Sequence, residues 1–275
     1  MDVSARRAAF RKLHESGCFV IPNPWDAGSA RYLERLGFKA LATTSSGFAF
    51  SCGLPDAEWA VPCDLMLHHI AELVAAVDLP VNADFQAGYG ERPEDVAESV
   101  RLCVESGVSG LSIEDRSGDR GKPLYDFPLA LERLKAAREA IDVSKAGVML
   151  TARAECFLVD HPDPLNEAVK RLQAYAELGA DVLYAPGLKH RWEIETVVAA
   201  VSPKPVNVLM HADFGLRVAD LATMGVRRIS VGSSLARAAW TGFIHAAKLI
   251  AEAGSFAGFE GLVSGQELNE FFRKV

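Results

Sequence analysis

Asp84 and Glu114 stand where carboxylates are hard to place, in the apolar segments "VNADF" and "LSIED". Burying an isolated carboxylate costs more than a fold can spare, so each needs a cation or a proton. Two carboxylates brought together suit a hard, oxygen-liganded ion such as Mg2+, with Mn2+ as a substitute. Such an ion keeps several waters and takes one or two protein ligands. An ion pair with Arg153 or Arg116 answers the same need, and the sequence leaves both readings open. Arg153 and Glu155, two apart in "LTARAE", share one side of a strand. An arginine so placed can hold a substrate carboxylate bidentately, or it can neutralise the chain's own acids. The run Thr43, Thr44, Ser45, Ser46, Gly47 offers hydroxyls and backbone N–H groups suited to an oxyanion, although ordinary loops use the same residues. Trp25 and Asn207 join Thr44, Ser45, Ser46 and Arg153 as candidate substrate contacts.

These residues can act together only if the fold brings them to one place. Eight short apolar, β-branched segments lie at 18–22, 40–46, 81–85, 110–115, 147–155, 181–186, 206–210 and 228–232, with helical periodicity between them. Strand alternating with helix eight times predicts an α/β fold, a (β/α)8 TIM barrel with a parallel eight-stranded core, formed by residues 1–275 as a single domain. The joints "LGFKAL", "SGVSGL", "LGADVL" and "MGVRRI" repeat one device, a helix stopped by glycine before the next strand. In such a barrel, chemistry gathers at the carboxyl ends of the strands. Asn23, Trp25 and Asp26, then residues 43–46, Asp84 and Gln86, Glu114 and Asp115, and Arg153 and Glu155 all fall there. The tail after Gly254 reads as a loop and a short terminal helix.

Composition narrows the partners. The chain has 275 residues, 49% of them hydrophobic, and a formal charge of −7 with acidic and basic residues interspersed. That balance predicts a small-molecule carboxylic acid as partner and no nucleic acid. No apolar run reaches the ~18 residues of a membrane span, so a cytoplasmic protein without membrane contact is expected. Cys18, Cys52, Cys63, Cys103 and Cys156 form no CxxC pair and are expected to be reduced, mostly buried small hydrophobes. Nucleotide cofactors find no support, because neither GxGxxG nor a Walker lysine motif is present. Gly88, Tyr89 and Gly90 permit a tight backbone course beside Asp84. Gly232, Ser233 and Ser234 fit either a phosphate-binding turn or a tight turn into the last helix. His68 and His69 fit a helix surface or its packing, which leaves His211, after strand seven, as the histidine nearest the expected site.

As a set, the strand-end residues resemble the isocitrate lyase and phosphoenolpyruvate mutase superfamily. The likeness runs from about Phe19 to the helix near Trp240, through "NPWDAGSARYLERLGFKALATTSSG", "GLPDAE", "VNADFQAGYG", "SIED" and "LTARAECF". It implies Mg2+ bound through Asp84 and, via water, Glu114, with the substrate carboxylate held by Arg153 and the strand-two loop. It also implies an active-site role for Asp56, and a homo-oligomer, tetramer or dimer, that exchanges a C-terminal helix between subunits. The chain departs from the family in three places. The KKCGH-like loop of isocitrate and methylisocitrate lyases is replaced by residues 116–123, where only Lys122 can take part of a gating role; Gln86 stands in place of a second metal-associated aspartate; and Pro186 replaces an acid or histidine. The resemblance therefore implies a methylisocitrate lyase-like or carboxyphosphonoenolpyruvate mutase-like member without the catalytic cysteine, using Asp56, Arg153 and Lys122. The expected activity is Mg-dependent cleavage of a C–C bond, by retro-aldol reaction or decarboxylation, in a small 2-oxo or 2-hydroxy dicarboxylic acid through a metal-stabilised enolate. The alternatives are C–P chemistry, as in phosphonopyruvate hydrolase or phosphoenolpyruvate mutase, and a non-catalytic barrel that binds a 2-oxo acid.

Overall fold

The computed structural model describes residues 1–273. Helix α1 (Val3–Leu13) precedes the alternation, followed by β1 (Phe19–Ile21), α2 (Ala27–Arg35), β2 (Leu41–Ala42), α3 (Ser45–Ser51) and α4 (Cys63–Ala76). Next come β3 (Val81–Asp84), α5 (Pro93–Glu105), β4 (Gly110–Glu114), α6 (Phe127–Ser144), β5 (Met149–Arg153) and α7 (Pro164–Glu177). The series continues with β6 (Val182–Tyr184), α8 (Arg191–Val201), β7 (Val206–Leu209), α9 (Val218–Thr223), β8 (Arg228–Ser230), α10 (Ser234–Ala253) and α11 (Gly265–Arg273).

The eight strands pair in parallel in the order β1-β8-β7-β6-β5-β4-β3-β2, the (β/α)8 barrel expected from the sequence. Between β1 and β2 the ring is drawn together by Ala42 N donating to Pro22 O at 3.0 Å. Asn23, buried, completes the closure. Its Nδ2 donates to Thr43 O at 2.9 Å, and its Oδ1 accepts from Val231 N and Gly232 N at 3.0 and 2.9 Å. One polar strand-end residue is thereby committed to joining three strand ends, and Gly232 to the turn that leads into α10.

Helix α5 shows how the sequence produces its elements. Pro93 opens it, Glu94 and Asp95 complement its positive end, and Val96, Val100, Cys103 and Val104 bury one face at helical spacing. A fully buried valine contributes about 1.5–3 kcal/mol relative to an exposed one, so this face docks the helix on the barrel. The four glycine joints behave alike: Gly37, Gly107, Gly179 and Gly225 have φ of +89, +88, +92 and +84°, a conformation that side-chain-bearing residues rarely adopt.

Two expectations need correction. The second strand is far shorter than residues 40–46, because the Thr44 hydroxyl accepts from Gly47 N at 3.1 Å and starts α3 at once. All five cysteines are free, but only Cys103 and Cys156 are buried; Cys18 and Cys63 are half-buried, and Cys52 is exposed beyond the end of α3. The histidine pair divides as a packed and a surface residue: His68 is exposed, whereas His69 is buried and stacks on Phe48 of α3, ring centroids 3.7 Å apart.

The chain forms two compact units, Met1–Ser234 and Leu235–Val275. The first holds the barrel. In the second, Gly258 lies so close to Ala246 that an added Cβ would come within 2.6 Å of its Cα, so the turn Ala257–Phe259 packs directly on α10. Trp240, Phe243, Ile244, Ile250, Phe256, Phe259, Leu262 and Val263 of this unit are all exposed.

Acid should loosen the first unit through its buried histidines. Burial pushes the pKa of His69 down to about 4; burial, then the charge of Arg228, pushes that of His14 down to about 3. Below about pH 6.5 the unfolded chain takes up protons that the folded chain refuses, so stability falls by up to about 1.4 kcal/mol per pH unit for each histidine. Urea unfolding from pH 7 to 4 should show this slope, and His69→Phe, which keeps an aromatic ring against Phe48, should remove the His69 share.

Candidate active site

Arg153 ends β5 and is the hub of the barrel mouth. Its Nη1 donates to Asp84 Oδ1 at 2.7 Å and its Nε to Glu155 Oε1 at 2.9 Å, while its Nη2 lies 2.9 Å from Glu114 Oε2 in an ion pair. Register accounts for the meeting: Asp84 and Glu114 are the last residues of β3 and β4, and Glu114 lies directly opposite Arg153 in the β4–β5 ladder. Burial opposes the charge on Arg153, but Glu114, Glu155 and Asp84 outweigh it and hold the pKa well above the usual value. Burial raises Glu114 well above the ordinary carboxylate range and pushes Glu155 up to about 8, with Arg153 acting in the opposite direction on both.

Each member of the cluster is held from behind. Asp84 Oδ2 accepts from the backbone N and the hydroxyl of Ser45, both at 2.9 Å, and Asp84 N donates to Thr43 Oγ1 at 2.8 Å. The predicted hydroxyl run thus orients the carboxylate. Glu155 N donates to Asp115 Oδ1 at 2.9 Å, and Asp115 Oδ2 accepts from Arg171 at 3.1 Å and the Tyr175 hydroxyl at 2.7 Å. Helix α7 therefore supports β4 and β5 through a second, buried ion pair. Arg133 of α6 donates to the carbonyls of Ala87, Gly90 and Glu91, which fixes the loop after β3, and its guanidinium lies 3.9 Å over the Tyr125 ring.

Not every predicted site residue joins this cluster. Asp56 lies at the rim, close enough to be influenced by it: desolvation, then the charge of Asp84, raises its pKa, while Arg116 and Arg153 lower it. Trp25 and Ser46 are half-buried at the same end, and Thr44 is buried as the cap of α3. Lys122 is exposed on the loop of residues 116–123. Asn207 is 1% exposed and engaged at both ends, donating to Ser230 Oγ at 2.9 Å and accepting from Arg228 Nε at 2.8 Å, inside the barrel. His211 lines a separate cavity of about 370 Å³ with Phe157, Leu158, Lys189, His190 and Glu193.

Several site residues escaped the sequence reading. Glu58 follows "GLPDA" and meets Glu114 within hydrogen-bonding reach. Tyr184, ending β6, lies with its ring centroid 5.2 Å from the Arg153 guanidinium carbon, and burial pushes its pKa up to about 12. Arg133 and Arg171 sit in helical patterns that look like ordinary solvated faces. Only their partners, distant in sequence, reveal what they do.

The donor set fits a hard divalent cation. Asp56, Glu58, Asp84, Glu114 and Glu155 face Arg116 and Arg153, with Arg133 also near Glu58, so the mouth holds more carboxyls than guanidiniums. A carboxylate offers about four acceptor positions, and donors fill three on Asp84. Gln86, 6% exposed, has its Oε1 buried without a hydrogen-bond donor. Among the described residues there is no group of three or more side chains able to hold an ion by themselves, which limits the fit to an ion that retains water, as Mg2+ does.

Comparison with known proteins agrees with this architecture. The sequence model of phosphoenolpyruvate phosphomutase matches residues 10–251. A 2-methylisocitrate lyase from Halalkalibacterium halodurans is 27% identical, with 95% of this chain and 87% of that protein covered. Among solved structures, a candidate lyase or mutase from Burkholderia cenocepacia J2315 superimposes with a TM-score of 0.92 at 46% identity, covering 98% of this chain and 96% of the other. The structure of 2,3-dimethylmalate lyase, a member of the phosphoenolpyruvate mutase and isocitrate lyase superfamily, gives 0.84 at 25% identity, with 99% and 95% covered. The barrel, the strand-end acids around Arg153 and these likenesses together make the chain a member of the phosphoenolpyruvate phosphomutase family, within the isocitrate lyase and phosphoenolpyruvate mutase superfamily of lyases and mutases.

Proposed function

We propose that this enzyme cleaves a C–C bond next to a carbonyl or hydroxyl carbon in a small 2-oxo or 2-hydroxy dicarboxylic acid, using Mg2+. The observation that carries the reading is the convergence of Asp84, Glu114 and Arg153 in a mouth with more carboxylates than cations. Asp84 and Glu114 would hold the ion, and its charge would stabilise the negative charge that develops on the substrate oxygen as the bond breaks. Arg153 has five N–H donors and hydrogen-bonds Asp84 and Glu155 through two, with Nη2 ion-paired to Glu114, which leaves donors to grip a substrate carboxylate. Ser45 keeps Asp84 oriented, and Asp56 at the rim can exchange a proton with a substrate in the mouth. Trp25, Thr44 and Ser46 remain proposed neighbours of the substrate and Lys122 a proposed closing residue; Asn207 is left out, since both ends of its amide are engaged. Relatives named for cleavage of 2-methylisocitrate and 2,3-dimethylmalate support lyase chemistry, while the family's own name keeps C–P chemistry as the second reading. We also propose a homo-oligomer in which a second copy covers the exposed apolar side chains of residues 235–273.

Pyruvate and phosphate release from oxaloacetate, 2,3-dimethylmalate, 2-methylisocitrate and phosphonopyruvate, each with Mg2+ and with chelator, separates the readings. Metal-dependent pyruvate release from a dicarboxylate or tricarboxylate is expected. Phosphate from phosphonopyruvate alone would favour C–P chemistry, and ligand binding without turnover of any would favour the non-catalytic barrel. Asp84→Asn should reduce turnover by well over tenfold with the fold retained, since a metal's charge is worth several kcal/mol in the transition state. For assembly, light scattering should find the wild type oligomeric and a Phe243→Glu, Ile244→Glu double variant smaller; a monomeric wild type would refute the oligomer.

A further inference from the structure

We propose that Glu58 is a further carboxylate of the metal centre, acting through its charge and replacing the one that Gln86 lacks. This rests on the proposal that Asp84 and Glu114 hold the ion.

Glu58 lies on the loop between α3 and α4, and its carboxyl meets that of Glu114, the end of β4. Two carboxyls in contact require a proton or a cation between or beside them, because their charges repel. Glu58 Oε2 is buried without a hydrogen-bond donor among the described residues, which is the condition of an oxygen waiting for a positive partner. Gln86 supplies an independent observation. Its side chain is 94% buried, its Oε1 has no donor, and its Nε2 donates to Ala57 O at 3.4 Å, the carbonyl just before Glu58. An aspartate at position 86 could not make that bond and would add a charge beside Glu58. Glutamine at 86 and glutamate at 58 therefore form a matched exchange, in which the amide anchors the loop and the loop returns the charge to the site.

The loop after β4 seals the arrangement. Gly118, at φ +74°, lies so close that a Cβ there would meet Glu58 Cβ at 3.0 Å and Cγ at 3.2 Å. A side chain there would crowd the Glu58 stem and sit at a φ that side-chain-bearing residues rarely adopt. Residues 116–123, which lack the cysteine and histidine of the lyase loop, are thus fitted to cover a carboxylate. Because no set of three direct ligands is present among the described residues, Glu58 acts on the ion by charge and not by a direct bond.

Calorimetric titration of the full chain with Mn2+ tests this without any assay of turnover. Removing a residue that supports a metal's direct ligands typically costs about 10–100-fold in affinity, so Glu58→Gln should weaken Mn2+ binding about tenfold or more. Adding Gln86→Asp to that variant should recover most of the loss. Glu58→Ala serves equally if the glutamine variant does not fold. Affinity within about twofold of wild type in the position-58 variants, with Asp84→Asn abolishing binding, would overturn the role of Glu58 alone and leave a shared proton as the link between Glu58 and Glu114. Mn2+ binding unaffected by Asp84→Asn, or absent from the wild type, would overturn the underlying metal site as well.

Discussion

A single buried guanidinium that must satisfy three carboxylates governs the upper end of this barrel. Arg153 cannot leave Asp84, Glu114 or Glu155 without stranding a charge away from water, and the three acids cannot separate without stranding Arg153. Ion pairs of this kind add little net stability over a well-packed apolar core, since desolvation offsets most of their attraction. Their effect here is to fix positions. The β3, β4 and β5 ends are tied at one point, and the excess of carboxyls over guanidiniums there gives a cation a reason to bind.

The surrounding structure keeps that point fixed. Cross-strand register sets Glu114 against Arg153, and Ser45 holds Asp84 through an abrupt change from β2 to α3. The α3 helix is kept in place by the stack of Phe48 on His69. Behind the strands, Asp115 ties Glu155 to Arg171 and Tyr175 of α7, and Arg133 of α6 pins the loop that follows Asp84. Helices that would otherwise serve only as packing become part of the machinery by which the mouth keeps its geometry.

Much of this was legible in the sequence, for identifiable reasons. Alternation of apolar strands with glycine-stopped helices requires only local patterning, and eight repeats admit few other folds. Asp84 and Glu114 stood out because carboxylates in apolar strands demand a partner. The partner itself could not be decided, since an ion pair and a metal satisfy the same electrostatic need and register is a property of three dimensions. Asn23 and Asn207 look alike in sequence, polar residues on or beside strands; one joins strand ends and the other is locked to Arg228 and Ser230 inside the barrel. Glu58 closes the segment "GLPDAE" but drew no role of its own, because its loop has no periodicity and its significance depends on Glu114 and Gln86, both distant in the chain.

The most direct test of the account is the unfolding free energy of Arg153→Met, measured in urea against the wild type. Methionine approximates the aliphatic stem and leaves three acids, Glu114 and Glu155 buried and Asp84 half-buried, without their common partner. Removing one side of a buried ion pair typically costs about 3–5 kcal/mol, and a loss of that size is predicted. A loss under about 1 kcal/mol would contradict the account, because it would mean that the strand ends keep their acids in place without Arg153.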